Sequence, residues 1–148
     1  MHYDHKKSEL INGNTWQNNF FHPQWNFGHG LSYTTFEYSN LTVSKNALSI
    51  SKNETATINV DVRNSGEIAG KEVVQLYTRD HYASISPPLR KLSRYVKIKL
   101  NPGEIKTLSF TISANELGFY GVTNHWTNEI GMHSFYIDRL EKSIYLNH

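Results

Sequence analysis

The side chains that could do chemistry in this sequence are few and scattered. Acids such as Asp61, Glu67, Glu72 and Glu104 could serve as a general acid and base if two of them faced one site. Eight histidines could hold a metal if they clustered, but no His-x-His or His-x-x-x-His spacing occurs, so no metal site is read here. The run Arg90, Lys91, Arg94, Lys97 and Lys99 could hold a polyanion. Its plainer reading is a solvated strand face, with Lys97 and Lys99 opposite Val96 and Ile98. Cysteine is absent, which removes disulfides and thiolate chemistry. Asn40-Leu41-Thr42 and Asn53-Glu54-Thr55 fit the glycosylation sequon, which matters only in a eukaryotic secretory pathway.

The elements that must position these groups are strands. Thr55 to Asn64 alternates Ala56, Ile58, Val60 and Val62 with Thr57, Asn59, Asp61 and Arg63, which puts one set in the core and one in water. Phe36 to Val43 reads as a first strand with a phase shift after Tyr38, the mark of a bulge. Ala47 to Ile50 reads as its short continuation. Lys71 to Arg79 follows, with Val74, Leu76 and Thr78 on one face. Lys91 to Leu100 offers Leu92, Val96, Ile98 and Leu100 to the core, and Thr107 to Ile112 alternates again. Between these last two, Asn101-Pro102-Gly103-Glu104 is a turn: proline presets the second position and glycine supplies the third. Ala114 to Phe119 is read as one helical turn. Trp126 and His133 to Ile137 are read as the last two strands, with Ile144 and Leu146 closing an edge. About seven short strands separated by Gly, Pro and Asn turns predict an all-β, two-sheet sandwich of the immunoglobulin-like kind over residues 36–148.

Residues 1–35 read differently. Trp25 to Phe36 packs four aromatics and two glycines into twelve residues and fits neither a helix nor a strand period. With Trp16, Phe20 and Phe21 upstream, the segment carries too much apolar surface for a simple solubilising tail. It is read as an aromatic-rich arm that lies on a partner surface. His29, between Gly28 and Gly30, is either a hydrogen-bonded structural histidine or a contact toward that partner.

Length and charge set further bounds. The 148 residues suit one sandwich with its arm, large enough for a core without covalent staples. A net charge of +2 is too weak to imply a nucleic-acid partner. No apolar run approaches the roughly 20 residues of a membrane span. Met1 to Lys7 carries no signal-peptide core, so the chain either stays in the cytoplasm or is a piece whose export signal lies elsewhere.

Several segments together carry a resemblance. Asn26-Phe27-Gly28-His29-Gly30-Leu31-Ser32-Tyr33-Thr34-Thr35-Phe36 resembles the "FPFGyGLSYTtF" segment of glycoside hydrolase family 3, the β-glucosidase and β-xylosidase family. Asn26 departs from it, standing where the family usually has proline. Asn64-Ser65-Gly66 with Ala69 to Tyr77 resembles "N-t-G-x-x-a-G-k-E-V-v-Q-l-Y". Pro88 to Leu92 resembles "rPvkeLkgF", Leu100 to Glu104 resembles "L-x-P-G-E", and Leu117 to Tyr120 resembles "dLsfyd". Asn128 to His133 departs, lacking the proline of "vePGeyev", so the final hairpin is less securely read. Tyr3-Asp4-His5-Lys6 is similar to the end of the second catalytic-region domain in some members. The likeness spans roughly residues 20–140.

The resemblance implies a fibronectin type III-like sandwich and a non-catalytic accessory role. It places the catalytic aspartate in an upstream barrel and the acid/base residue in a second domain, and nothing here matches either motif. Glycoside hydrolysis needs two carboxyl groups about 5 to 10 Å apart across a sugar site, and the acids here fall mostly on exposed strand faces or turns. No catalytic residue and no cofactor are expected. The expected partners are the catalytic domains, in the same or a separate chain, and a second subunit is also open. Trp25, Phe27, Gly28, His29, Gly30, Leu31 and Tyr33 would make the interdomain contact. The loop from Asp80 through His81, Tyr82, Pro87 and Pro88 to Leu89 would approach the active site or a second subunit. The competing reading is a carbohydrate-binding module using Trp16, Trp25 or Trp126 as stacking platforms.

Overall fold

The computed structural model of the protein describes residues 30–84 and 90–148. The predicted contacts at Trp25, Phe27, Gly28, His29, Pro87 and Pro88, and the platform at Trp16, lie outside them.

Ten strands form the described fold: β1 (Phe36–Val43), β2 (Ala47–Ser49), β3 (Thr55–Asn64), β4 (Gly70–Asp80), β5 (Lys91–Leu100), β6 (Ile105–Ser113), β7 (Phe119–Tyr120), β8 (Trp126–Thr127), β9 (Gly131–Ile137) and β10 (Leu140–Asn147). They make a three-stranded sheet ordered β1-β3-β6, a five-stranded sheet ordered β2-β10-β9-β4-β5, and a two-stranded ribbon of β7 and β8. The all-β sandwich expected from the alternation is the observed fold. Its core joins both large sheets: Ile58, Val60 and Val62 of β3 and Phe110 and Ile112 of β6 meet Val74 and Leu76 of β4, Phe135 and Ile137 of β9 and Leu146 of β10. Fully burying one such side chain is worth about 1.5–3 kcal/mol, so these positions dominate stability.

The bulge in β1 is real. Its register against β3 shifts between Ser39 and Thr42, and Asn40 takes φ 54° there. Asparagine tolerates that left-handed region because its short polar side chain compensates locally; here Asn40 Nδ2 donates to Asp61 Oδ2 at 2.8 Å. The turn at Asn101–Glu104 also forms as read, with Gly103 at φ 75° and the Glu104 N–H donating to the Asn101 carbonyl at 3.0 Å. The helical turn is a short 3₁₀ segment, Ala114–Leu117, whose Glu116 carboxylate accepts from the Ser113 N–H at 2.8 Å.

Three expectations need correction. Ala47–Ser49 does not continue β1 in its sheet; it crosses over and pairs in parallel with β10, covering the edge that Ile144 and Leu146 were expected to close. Trp126 does not begin the final hairpin. It pairs with Tyr120 in the ribbon, and the last hairpin is β9–β10, turned at Asp138 with φ 52°. Leu92 is not core but 37% exposed. The β4–β5 register slips between Leu76 and Tyr77, so Leu76 opposes Arg94 while Tyr77 opposes Leu92. The extra residue, Ser93, turns to Thr78, with the two hydroxyls 2.7 Å apart.

Candidate functional site

The arm ends at a built anchor. A Cβ on Gly30 would meet nothing within 4 Å, Leu31 is 91% exposed and Tyr33 is 99% exposed. The next residue is fixed. Thr34 Oγ1 donates to Asn64 Oδ1 at 2.8 Å, and the Thr35 and Ser65 hydroxyls lie 3.0 Å apart. Asn64 is fully buried at the inward-facing end of β3, and its Nδ2 donates to the carbonyls of Ile68 and Leu100. Gly66 and Gly70 leave room for this crossing, since a Cβ on either would fall 2.2 Å and 2.4 Å from the Thr34 side chain. Two apolar side chains thus stand in solvent immediately before a rigid attachment.

The other predicted segment lies at the far end of β4. Asp80 and Gly70 bound the same strand, ten steps of about 3.3 Å or roughly 33 Å apart. The structure therefore separates Leu31 and Tyr33 from Asp80, His81 and Tyr82 rather than uniting them.

Around Asp80 the polar side chains form a network. His133 Nε2 lies 3.5 Å from Asp80 Oδ2, and His133 Nδ1 lies 3.4 Å from the Gly131 carbonyl. His81 Nε2 meets Ser134 Oγ at 2.8 Å, and Ser134 Oγ lies 2.8 Å from Ser143 Oγ. Tyr136 donates to Glu141 at 2.8 Å, while Arg90 sits 4.0 Å above the Tyr136 ring. Aspartate, histidine and serine are all present, but not as a catalytic relay. One histidine would have to bridge acid and hydroxyl. Here Asp80 faces His133, His81 faces Ser134, and Ser134 is fully buried from any substrate. Burial holds the His133 imidazole below its ordinary pKa against the pull of Asp80. Tyr82 is 70% exposed beside Gly131, and Ser84 N–H donates to Glu129 at 2.8 Å.

The carboxylates hold structure. Asp61 is lowered by hydrogen bonds from Thr107 and then Asn40; Glu54 by the Ser49 N–H and then Lys45; Glu141 by Tyr136 and then Ser134. A general acid needs its pKa moved upward, the opposite direction. Glu72, read as exposed, is half-buried and accepts a 2.7 Å hydrogen bond from Tyr38. Among the described residues no group of three His, Asp or Glu side chains is arranged to hold a metal ion. No helix among them is long and apolar enough to cross a membrane.

Trp126 is 44% exposed and borders a shallow groove of about 250 Å³ with Leu92, Arg94 and Glu116. Its ring is already engaged. The indole N–H donates to the Asn115 carbonyl at 2.9 Å, Tyr120 meets it edge-on, and Lys91 Nζ sits 4.9 Å over the ring. A sugar stacking there would have to displace the lysine.

Comparison with known proteins fits this architecture. Residues 72–140 match the fibronectin type III-like domain family. The thermostable beta-glucosidase B of Acetivibrio thermocellus is 41% identical over 125 residues, covering 84% of this chain and 16% of that protein. The beta-glucosidase from Listeria innocua, solved in complex with glucose, superposes with a TM-score of 0.80 at 28% identity, over 100% of this chain and 22% of that one. The chain belongs to the fibronectin type III-like domains of glycoside hydrolase family 3. Beta-glucosidase BoGH3A of Bacteroides ovatus, 35% identical over 133 residues, gives the same picture, with 88% of this chain aligned to 18% of that protein. The chain thus spans less than a fifth of the length of these two curated relatives.

The sequence reading missed Asn64 and His133 as structural centres of this domain. Both sit on inward-facing positions of strands that the alternation had already located, so strand parity was the signal available.

Proposed function

We propose that this chain is the non-catalytic accessory domain of a family 3 β-glucosidase-type enzyme and that it stabilises the catalytic domains by packing on them. The observation that carries this reading is one of proportion. Nearly all of this chain aligns with a small part of much longer β-glucosidases. The structure supports it locally, because Leu31 and Tyr33 stand exposed beside a rigid anchor at Thr34. Exposed apolar groups held in place suit a surface that another body covers.

In this reading the segment Trp25, Phe27, Gly28, His29, Gly30, Leu31 and Tyr33 contacts the catalytic domains. The loop bearing Asp80, His81, Tyr82, Pro87 and Pro88 reaches toward the active-site side or a second subunit. The partner is in the same chain or a separate one.

The test is addition of the purified chain to a family 3 β-glucosidase from which the matching domain has been removed. A rise in the melting temperature of the truncated enzyme is expected. An unchanged melting temperature together with unchanged activity would refute the accessory role. The pure chain alone should release no nitrophenol from an aryl β-glucoside.

A further inference from the structure

The two large sheets end in edge strands, β1 and β6 on one, β2 and β5 on the other. An edge strand presents unpaired N–H and C=O groups, and proteins blunt it with brevity, bulges or charge. β2 is three residues long. β1 is bulged between Ser39 and Thr42. β5 carries Lys91, Arg94, Lys97 and Lys99, and its pairing with β4 slips. β6 has none of these devices. Its nine residues hold an unbroken register against β3, from Ile105 opposite Arg63 to Ser113 opposite Thr55. It contains no proline, and Lys106 near its start is its one charged side chain. From Thr107 to Ser113 it alternates threonine and serine with Leu108, Phe110 and Ile112.

The ladder decides which backbone groups of β6 are free. The Asn64 N–H donates to the Glu104 carbonyl at 3.0 Å, and the Ala114 N–H donates to the Glu54 carbonyl at 2.8 Å. Both bonded pairs fall on even-numbered residues, and bonded and non-bonded pairs alternate along an antiparallel ladder. Lys106, Leu108, Phe110 and Ile112 therefore bond to β3. Ile105, Thr107, Ser109, Thr111 and Ser113 turn their N–H and C=O groups to the edge. The Ser113 N–H agrees with this parity, since it donates away from β3 to Glu116 at 2.8 Å. Among the described residues the other edge-facing residues, Ile105, Thr107, Ser109 and Thr111, meet no further strand. β5 follows β6 across the Asn101–Glu104 turn in the other sheet. Its Ile98 and Leu100 are buried, so Lys97 and Lys99 point to the outer face rather than over this edge.

We propose that the free edge of β6 pairs with β6 of a second copy of this chain, antiparallel about Leu108, so that two three-stranded sheets become one continuous sheet. The edge-facing residues are spaced symmetrically about Leu108, so each meets another. Ile105 lies opposite Thr111 of the second copy, and Thr107 lies opposite Ser109 of the second copy, each pair exchanging both hydrogen bonds. The side chains agree with this register. A threonine–serine pair is favourable across strands, and like charges directly opposite are not. Lys106 falls opposite Phe110 of the second copy, so no like charges meet. Ile105, 61% exposed, gains Thr111 as a neighbour. β5 paired with itself would instead bring its cations together. The contact is isologous, so it consumes both edges and stops at a dimer. It goes beyond the accessory-domain reading, because it joins two copies of the domain whatever body each one packs on.

The experiment follows the purified chain by analytical ultracentrifugation and amide hydrogen exchange from about 10 μM to about 1 mM. A monomer–dimer equilibrium is expected, with protection of the Ile105, Thr107, Ser109 and Thr111 amides rising with concentration. Two double variants test the register. Thr107→Lys with Ser109→Lys sets lysine opposite lysine in both symmetry-related pairs and should weaken the dimer about tenfold. Thr107→Lys with Ser109→Glu sets lysine opposite glutamate and should keep it. Melting temperatures of the dilute variants separate lost folding from lost pairing, and the wild-type exchange pattern stands without either variant. A chain that stays monomeric throughout, with no concentration-dependent protection, overturns the proposal. So does a dimer whose protected amides lie on β1, β5 or the His81–Ser84 loop. Equal weakening in the two folded variants overturns the register. If those β6 amides are protected only when a domain-deleted family 3 β-glucosidase is added, the occupant is the enzyme body and the second copy is overturned, while the accessory role stands.

Discussion

Thr34 Oγ1 donates a 2.8 Å hydrogen bond to Asn64 Oδ1, joining the end of the arm to the last inward-facing position of β3. The Asn64 amide is saturated: its oxygen also accepts from the Gly66 N–H at 3.1 Å, and its nitrogen serves the carbonyls of Ile68 and Leu100. A fully buried amide in this state fixes the arm, the β3–β4 loop and the end of β5 together. Asn64→Ala leaves two carbonyls, a hydroxyl and the Gly66 N–H without their partner, so a loss of about 3 kcal/mol is expected. Thr34→Val removes one bond and should cost about 1 kcal/mol. Urea unfolding of the two variants measures both, and equal small losses would show that the amide is not central.

The two glycines under Thr34 give a second prediction. A Cβ at Gly70 would lie 2.4 Å from Thr34 Cγ2 and 3.1 Å from Phe36 Cζ. Gly70→Ala should therefore destabilise by about 2 kcal/mol through overpacking. Thr34→Ser removes the clashing methyl and keeps the hydroxyl that meets Asn64. The double variant should recover at least about 0.5 kcal/mol relative to the sum of the single changes. Strict additivity would mean that Thr34 does not press on Gly70.

What was readable in the sequence follows from which interactions are local. The alternation of Thr55 to Asn64 defined β3 to the residue, because each inward position answers to one core. The turn at Gly103 was readable because its conformation needs glycine. Ala47–Ser49 was misplaced because three residues carry no pattern that says which sheet they join; that is decided by pairing with Tyr145 to Asn147, about a hundred residues away. Leu92 was misread because a bulge at Ser93 inverts the parity on which the reading depended. The separation of Tyr33 from Tyr82 was invisible in one dimension, since both flank strands of the same sandwich.

Tyr38 and Glu72 form a partly buried pair at 2.7 Å. Desolvation, then the hydrogen bond and charge of Glu72, push the phenol pKa far above its ordinary value, so the hydroxyl keeps its proton and donates. Tyr38→Phe leaves the carboxylate facing a ring edge and should cost about 1–2 kcal/mol. Adding Glu72→Gln to that variant removes the stranded charge and should restore part of the loss. If the second change deepens the loss instead, Glu72 is held by something other than Tyr38.

His133 makes stability depend on pH in a definite direction. The ring is buried on β9, facing Asp80 from the end of β4, His81 from the following loop, and the backbone carbonyls of Gly131 and Leu117. Burial lowers its pKa from 6.5, and it outweighs the opposing attraction of Asp80. The unfolded chain therefore binds a proton more readily than the folded one in the interval below 6.5. The stabilisation from a neutral His133 is complete above that value and is lost as the pH falls through the interval. Glu54 and Glu141, lowered from 4.5, lose their contributions only further into acid. Unfolding free energy should thus decline between about pH 7 and pH 5 in the wild type and stay flatter in His133→Gln, which keeps a polar group near Gly131 without titrating. Denaturation midpoints across that range, with the imidazole resonance of His133 followed by NMR, measure both halves of the claim. Parallel curves for the two proteins, or a His133 resonance that titrates at or above the free-imidazole value, would show that Asp80 rather than burial governs the ring.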